Sequence, residues 1–282
     1  LVMEKEIIFD EHDSEQSARF NAARKSTWVS VVVNLFLTLG QVIVGAISGS
    51  QGLIADGIHS LSDLVADFVV LLANHKSKKE ADEDHPYGHY RYENAASLVL
   101  GALLLIVGIG MLWSAIHKIQ DPTSIPQVHT IALWVAFIAL AVKELLFRYM
   151  LAVAKRVRSS MLVANAWHAR SDAASSLVVA IGIIGNLLGY TLLDPVAAFI
   201  VGLMVTKMGF SFTWDSLHDL MDRAADSEIE NKIKQTLKAT SGVSGVHDLK
   251  TRKMGDLIVV DVHLEIDGNL SVREGHDIAV EA

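Results

Sequence analysis

The sequence predicts an α-helical membrane protein, with six transmembrane helices followed by a small cytoplasmic α+β domain of ferredoxin-like order. Three observations predict it. Of the 282 residues, 51% are hydrophobic and the mean hydropathy is +0.36, whereas an ordinary globular domain reaches roughly 45–50% only when glycine is counted. Six segments are long and apolar enough to cross about 30 Å of hydrocarbon, which takes roughly 17–25 helical residues. After "WDSLHDLMDR" the composition turns from apolar to mixed, and no later segment could span.

Residues 1–27 are too charged for the apolar core of a signal peptide and read as a solvated cytoplasmic leader. Spans are expected near Trp28–Ser48, Leu53–Ala73, Ala95–Ile116, Ile131–Ala152, Val163–Leu188 and Pro195–Phe212, a transmembrane domain over 28–214. "SGSQG" and "GYTLLD" are short turns, whereas "HKSKKEADEDHPYGHYRYE" and "AKRVRSS" are longer or strongly charged. Arg19, Arg24, Lys25, Lys76, Lys78, Lys79, Arg91, Arg148, Lys155, Arg156 and Arg158 then share one side, and the opposite loops offer only Lys118. The positive-inside bias makes that side, and both termini, cytoplasmic.

The cytoplasmic domain is expected over 215–282. "SEIENKIKQTLKAT" has a serine cap and a helical period, "VHDLKTRKM" and "LIVVDVHLEID" read as strands, and "SVREGHDIAVEA" starts a second helix. A βαββαβ core needs one more strand beyond Ala282, so the tail reads as truncated.

Composition also narrows the chemistry. With no cysteine, disulfides and thiolate metal sites are excluded. A net charge of −8 argues against nucleic acid, whose binding needs a basic surface. Acids and 12 histidines point toward cations instead.

The second span carries Asp56, His59, Asp63 and Asp67 within "ADGIHSLSDLVAD". Each ionisable group in a spanning helix costs about 2.5–3.5 kcal/mol on insertion scales, so several on one helix must face protein, water or an ion. His59 and Asp63 are four residues apart and share one helical face. The spacing recurs in "WHARSDAASS", with His168 and Asp172. One such pair can be a hydrogen bond that hides both groups from lipid; two pairs on separate helices supply two imidazole nitrogens and two carboxylates, a tetrahedral set suited to Zn²⁺. Asp56, near its helix start, reads as a complement to the helix dipole that reaches the interface, and Asp67 as structural or part of a water path. Arg170, Lys143 and Glu144 are expected to pair or to snorkel.

The six-helix layout, the paired "HSLSD" and "HARSD" motifs, the "HPYGHYRYE" loop and the αββα tail resemble the cation diffusion facilitator family of divalent-metal/proton antiporters, over essentially the whole chain after the leader. The resemblance implies a homodimer that exports Zn²⁺ or a similar ion from the cytoplasm, multi-pass in a bacterial inner membrane. Motif by motif, it implies a transport site of His59, Asp63, His168 and Asp172. It further implies a loop site of Asp82, His85 and His89, and a cytoplasmic site of His247, His263 and His276 that lacks ligands of a final strand. From spacing alone, the loop reads first as a solvated surface, and the tail histidines fit a solvated surface as well as a metal. Arg91 and Asp222 correspond to a charge interlock near the dimer hinge, although Arg91 fits interfacial snorkelling nearly as well. Some bacterial relatives carry Asp at the position of His59, and manganese-type members resemble an all-acid set, so two histidines favour Zn²⁺ and leave Fe²⁺, Co²⁺, Ni²⁺ and Cd²⁺ as alternatives.

Protons and metal compete for such a site, because the ligands must be deprotonated to bind. Protonation of imidazole near pH 6.5 then releases the ion, and a proton gradient can drive export. No enzyme is expected. A catalytic zinc keeps three protein ligands, an open position and a nearby base, and the chain contains no HExxH. A membrane metal receptor that does not transport is the other alternative.

Overall fold

The computed structural model describes the backbone of residues 2–77, 79–156, 160–254 and 257–282; side chains are described from residue 25 onward except at 67, 70, 71, 74, 75, 160–162, 164, 165 and 168. Six long helices lead the chain: α1 (Val2–Ser48), α2 (Gln51–Ser77), α3 (Arg91–Gln120), α4 (Ile131–Arg156), α5 (Ser160–Leu187) and α6 (Leu193–Leu220). Among the described residues, three helices are long and apolar enough to cross a membrane: Lys25–Ser48, Arg91–Gln120 and Leu193–Leu220. The intervening α2, α4 and α5 have the length, at 27, 26 and 28 residues, but carry the ionisable groups noted above. Helix α1 starts at Val2, within the segment expected as a leader, and α6 runs past the expected boundary at Asp215 to Leu220.

Two compact units divide the chain, 1–66 with 104–208 and 67–103 with 209–282. In the first, Leu53, Val179, Ile183 and Val201 form a core with alanines of α2 to α6. A second cluster joins Leu146, Phe147 and Met150 of α4 to Ala166 of α5, with Val29 and Val33 of α1 against it. Small residues allow the helices to approach as membrane helices do: a Cβ on Gly57 would stand 2.7 Å from Val42 Cγ2. The turn from α1 to α2 uses Gly49 at φ 76. Asp194 of α6 then receives Ser50 Oγ (2.6 Å) and the Gln51 amide (2.7 Å), satisfying donors left open at the start of α2.

In the second unit, α7 (Ser227–Ala239) precedes β1 (Val243–Met254), β2 (Leu257–Ile266) and α8 (Val272–Glu281). The strands pair antiparallel, with His247 opposite His263. The expected serine cap of α7 is corrected: Asp226 is the N-cap, without a side-chain cap bond, and Ser227 is already helical. Helix α8 has a full capping box between Ser271 and Glu274, and the Ser271 hydroxyl holds the Glu274 carboxyl below its ordinary range.

Candidate metal centres

The helical repeat stacks His59 and Asp63 on one face of α2, with His59 Nδ1 3.7 Å from Asp63 Oδ2. Asp172 of α5 closes the group. One donor atom from each of the three lies within 4.8 Å of the others, and His59 is 5% exposed. Metal–ligand distances of about 2.0–2.2 Å require donors to gather around one point, and these three lie close enough to do so with small side-chain adjustments. The backbone of His168 stands in α5 one turn before Asp172; its side chain, like that of Asp67, lies outside the described residues.

Asp56 departs from expectation. It does not reach an interface but is 0% exposed. Gln41 Nε2 of α1 and Ser176 Oγ of α5 each donate to its Oδ2 at 2.5 Å, and Ser175 Oγ lies 2.7 Å from its Oδ1. Lys143 of α4, 3% exposed, completes the cluster with Nζ 3.5 Å from Asp56 Oδ1, 3.0 Å from Ser60 Oγ and 2.8 Å from Ser176 Oγ. Lys143 therefore pairs internally. Arg170 pairs as well, its Nε 4.0 Å from Glu144 Oε2 and its guanidinium 4.8 Å above the Phe147 ring.

A second cluster forms in the loop between α2 and α3, where Gly88 takes the φ of 80 that the tight "PYGH" turn requires. Asp82 receives the His85 amide at 2.8 Å, and its two oxygens lie 3.1 Å from His85 Nδ1 and 3.4 Å from His89 Nε2. The buried His89 ring is oriented through Nδ1, 3.2 Å from the Glu80 carbonyl, the kind of contact that orients metal-ligating histidines. The Lys79 ammonium, 2.8 Å away, holds the Asp82 carboxyl well below the usual carboxylate range. Its ionisation thus favours the folded loop at neutral pH, and that contribution fades only as the pH falls below the ordinary carboxylate range.

The third cluster lies on the sheet. His247 and His263 stand opposite each other with ring centroids 5.2 Å apart. Asp248, absent from the expected ligands, joins them: its Oδ2 is 3.2 Å from His247 Nδ1 and 3.5 Å from His263 Nδ1. A register shift after His247 and a φ of 52 at Asp248 turn this side chain onto the histidine face. Alternation along a regular strand would have put it on the other face. His276 lies exposed on α8 and is not in this group. The three side chains suit an exposed N,N,O metal site in chemistry and spacing.

Two family descriptions match the chain: the cation efflux transmembrane domain over residues 27–221 and the cation efflux protein cytoplasmic domain over residues 225–282. The chain belongs to the cation diffusion facilitator family of divalent-metal efflux proteins. Similar proteins include metal tolerance protein 2 of Oryza sativa subsp. japonica, 35% identical over 89% of this chain and 71% of that protein. The manganese efflux system protein MneS of Bacillus subtilis is 36% identical over 90% and 87%, and the magnetosome protein MamB of a Magnetospira species is 32% identical over 89% and 86%.

In this cation diffusion facilitator, Arg91 at the start of α3 is ion-paired with Asp222 and also donates to the Leu220 carbonyl at 2.9 Å. Asp222 takes a φ of 60 just after α6, a conformation that favours glycine and that this contact helps to hold. Reversing both charges, Arg91→Asp with Asp222→Arg, should recover part of the dimer stability or flux that each single reversal loses, because residues in direct contact are not additive. Strictly additive losses in size-exclusion and flux assays would show that the pair is uncoupled.

The sheet cluster carries its own test. Zinc should protect the cytoplasmic domain of the intact protein against proteolysis by favouring the state that binds it. Protection should vanish in the His247→Ala, His263→Ala variant. Equal protection in both proteins would remove the metal from this face.

Proposed function

We propose that this chain exports Zn²⁺ from the cytoplasm in exchange for protons, by alternating access to a site formed by His59, Asp63, His168 and Asp172. The observation that carries the reading is the approach of His59, Asp63 and Asp172, from two helices, to within 4.8 Å of one another. His168, one turn from Asp172, adds the second imidazole by helical spacing. Two carboxylates offset the charge of the ion, and the imidazoles exchange metal for protons near neutrality. The proposed frame is six spans over 28–214, a leader over 1–27 and a metal-binding, dimer-forming domain over 215–282. Both termini face the cytoplasm of a bacterial inner membrane, and the protein works as a homodimer. The clusters at Asp82 and at His247 would hold further ions that brace the cytoplasmic part.

Mn²⁺ is the second reading, because MneS and MneP of Bacillus subtilis, at 36% and 33% identity, are manganese efflux proteins. Chemistry separates the two. Mn²⁺ prefers six oxygens, whereas Zn²⁺ accepts four mixed nitrogen and oxygen ligands. The test is competitive flux of Zn²⁺ against Mn²⁺ and Cd²⁺ into reconstituted vesicles with an imposed pH gradient, for wild type and His59→Asp. Wild type should prefer Zn²⁺ and the variant should move toward Mn²⁺ and Cd²⁺. The same preference in both would mean that the imidazole of His59 does not select the ion, and flux that ignores the pH gradient would remove proton exchange.

A further inference from the structure

The structure assigns Asp56 and Lys143 a positioning role: the buried pair fixes the separation of α2 and α5 beside the metal cluster, and thereby which divalent ion the site discriminates. This inference rests on the reading of His59, Asp63 and Asp172 as the transport site.

Asp56 precedes His59 by three residues and Asp63 by seven, so it extends the same face of α2 by one turn. Ser175 and Ser176 follow Asp172 by three and four residues and extend the facing stripe of α5 in the same way. Each helix that bears a candidate ligand therefore carries, one turn of about 5.4 Å away, the group that binds it to the other. The bridge is direct. Both oxygens of Asp56 engage α5 hydroxyls, at 2.7 Å to Ser175 Oγ and 2.5 Å to Ser176 Oγ.

Lys143 strengthens the bridge from α4. Its ammonium sits among oxygens of α2 and α5, namely Asp56 Oδ1, Ser60 Oγ, Ser176 Oγ and the Asp172 carbonyl at 3.4 Å. A lysine has three donors and no acceptor, and as a compact charge it draws such oxygens together. It also contacts the backbone of Asp172 itself, so its position is transmitted to a residue whose carboxylate belongs to the cluster. Gln41 adds α1 to the same point. A plain structural cross-link could lie anywhere along these helices, whereas this one abuts the cluster on both of them.

Zn²⁺ at about 2.0–2.2 Å needs a narrower gap than larger ions with more ligands. Relaxing the bridge should therefore change affinity unequally among ions, and loss of groups that orient metal ligands typically costs about 10–100-fold in affinity. Replacing both charges together, Asp56→Asn with Lys143→Met, avoids an uncompensated buried ion. A second variant, Ser175→Ala with Ser176→Ala, keeps the ion pair and removes the α5 hydroxyls.

The experiment measures KM and maximal flux for Zn²⁺ and for Mn²⁺ in reconstituted vesicles. It compares wild type, both variants and Asp63→Ala, each scored for folded dimer by size exclusion. The expected result is a shift of about tenfold in the ratio of the two KM values in the folded variants, with smaller changes in maximal flux. If one variant fails to fold, the other decides. A KM ratio equal to that of wild type, with Asp63→Ala inactive, would overturn the positioning role alone. Flux in Asp63→Ala equal to wild type would overturn the site reading, and this inference with it.

Discussion

Replacing Asp172 by Ala should abolish metal flux while leaving a folded protein. The aspartate supplies the carboxylate that α5 brings to the described α2–α5 cluster, so its loss leaves His168 as the only proposed ligand from α5. The ion then lacks one of its four proposed ligands and one of the two carboxylates that offset its charge. Folding should survive, because the Asp172 contacts with Ser175 and Lys143 run through its backbone carbonyl, which alanine retains. The same change at Asp63 should behave alike. Vesicle flux with a size-exclusion control measures both, and undiminished flux in Asp172→Ala would remove the residue from the transport path.

Lys143→Met alone should have the largest effect on stability. It leaves the Asp56 carboxylate fully buried beside the neutral donors Gln41, Ser175 and Ser176, and breaking a buried ion pair from one side typically costs about 3–5 kcal/mol. Asp56→Asn alone strands the lysine in the same way. The double change should recover most of the loss, since removing both charges leaves no uncompensated ion. Thermal unfolding in detergent measures all three. Equal destabilisation by the double and the single variants would show that the two charges do not compensate each other.

The difference in what the sequence discloses follows from how each contact arises. His59 with Asp63 and Asp82 with His85 and His89 are close in sequence, and regular spacing of three or four residues is enough to bring them together. Two helix ends also fall where the apolar runs stop and start: α1 ends at Ser48 and α4 begins at Ile131. Asp56 was not. Its partners Lys143, Ser175 and Ser176 lie 87, 119 and 120 positions away, and an acid near a helix start has an adequate local explanation in the dipole. Two signals could have found the pair: a lysine and an aspartate each inside an apolar helix, and the two serines that continue the "HARSD" face. Asp248 escaped because strand alternation breaks at it, where the chain takes a positive φ that periodicity does not encode. His276 shows the converse, a histidine well placed in sequence that the fold leaves apart from the sheet cluster.

The most direct measurement is an anomalous difference map of the protein loaded with Zn²⁺, recorded at the zinc edge for wild type and Asp63→Ala. The expected result is a wild-type peak between α2 and α5, within bonding distance of His59, Asp63 and Asp172 at about 2.0–2.2 Å, that is lost in the variant. Peaks confined to the Asp82 and His247 clusters, with none between α2 and α5 in protein that transports zinc, would contradict it.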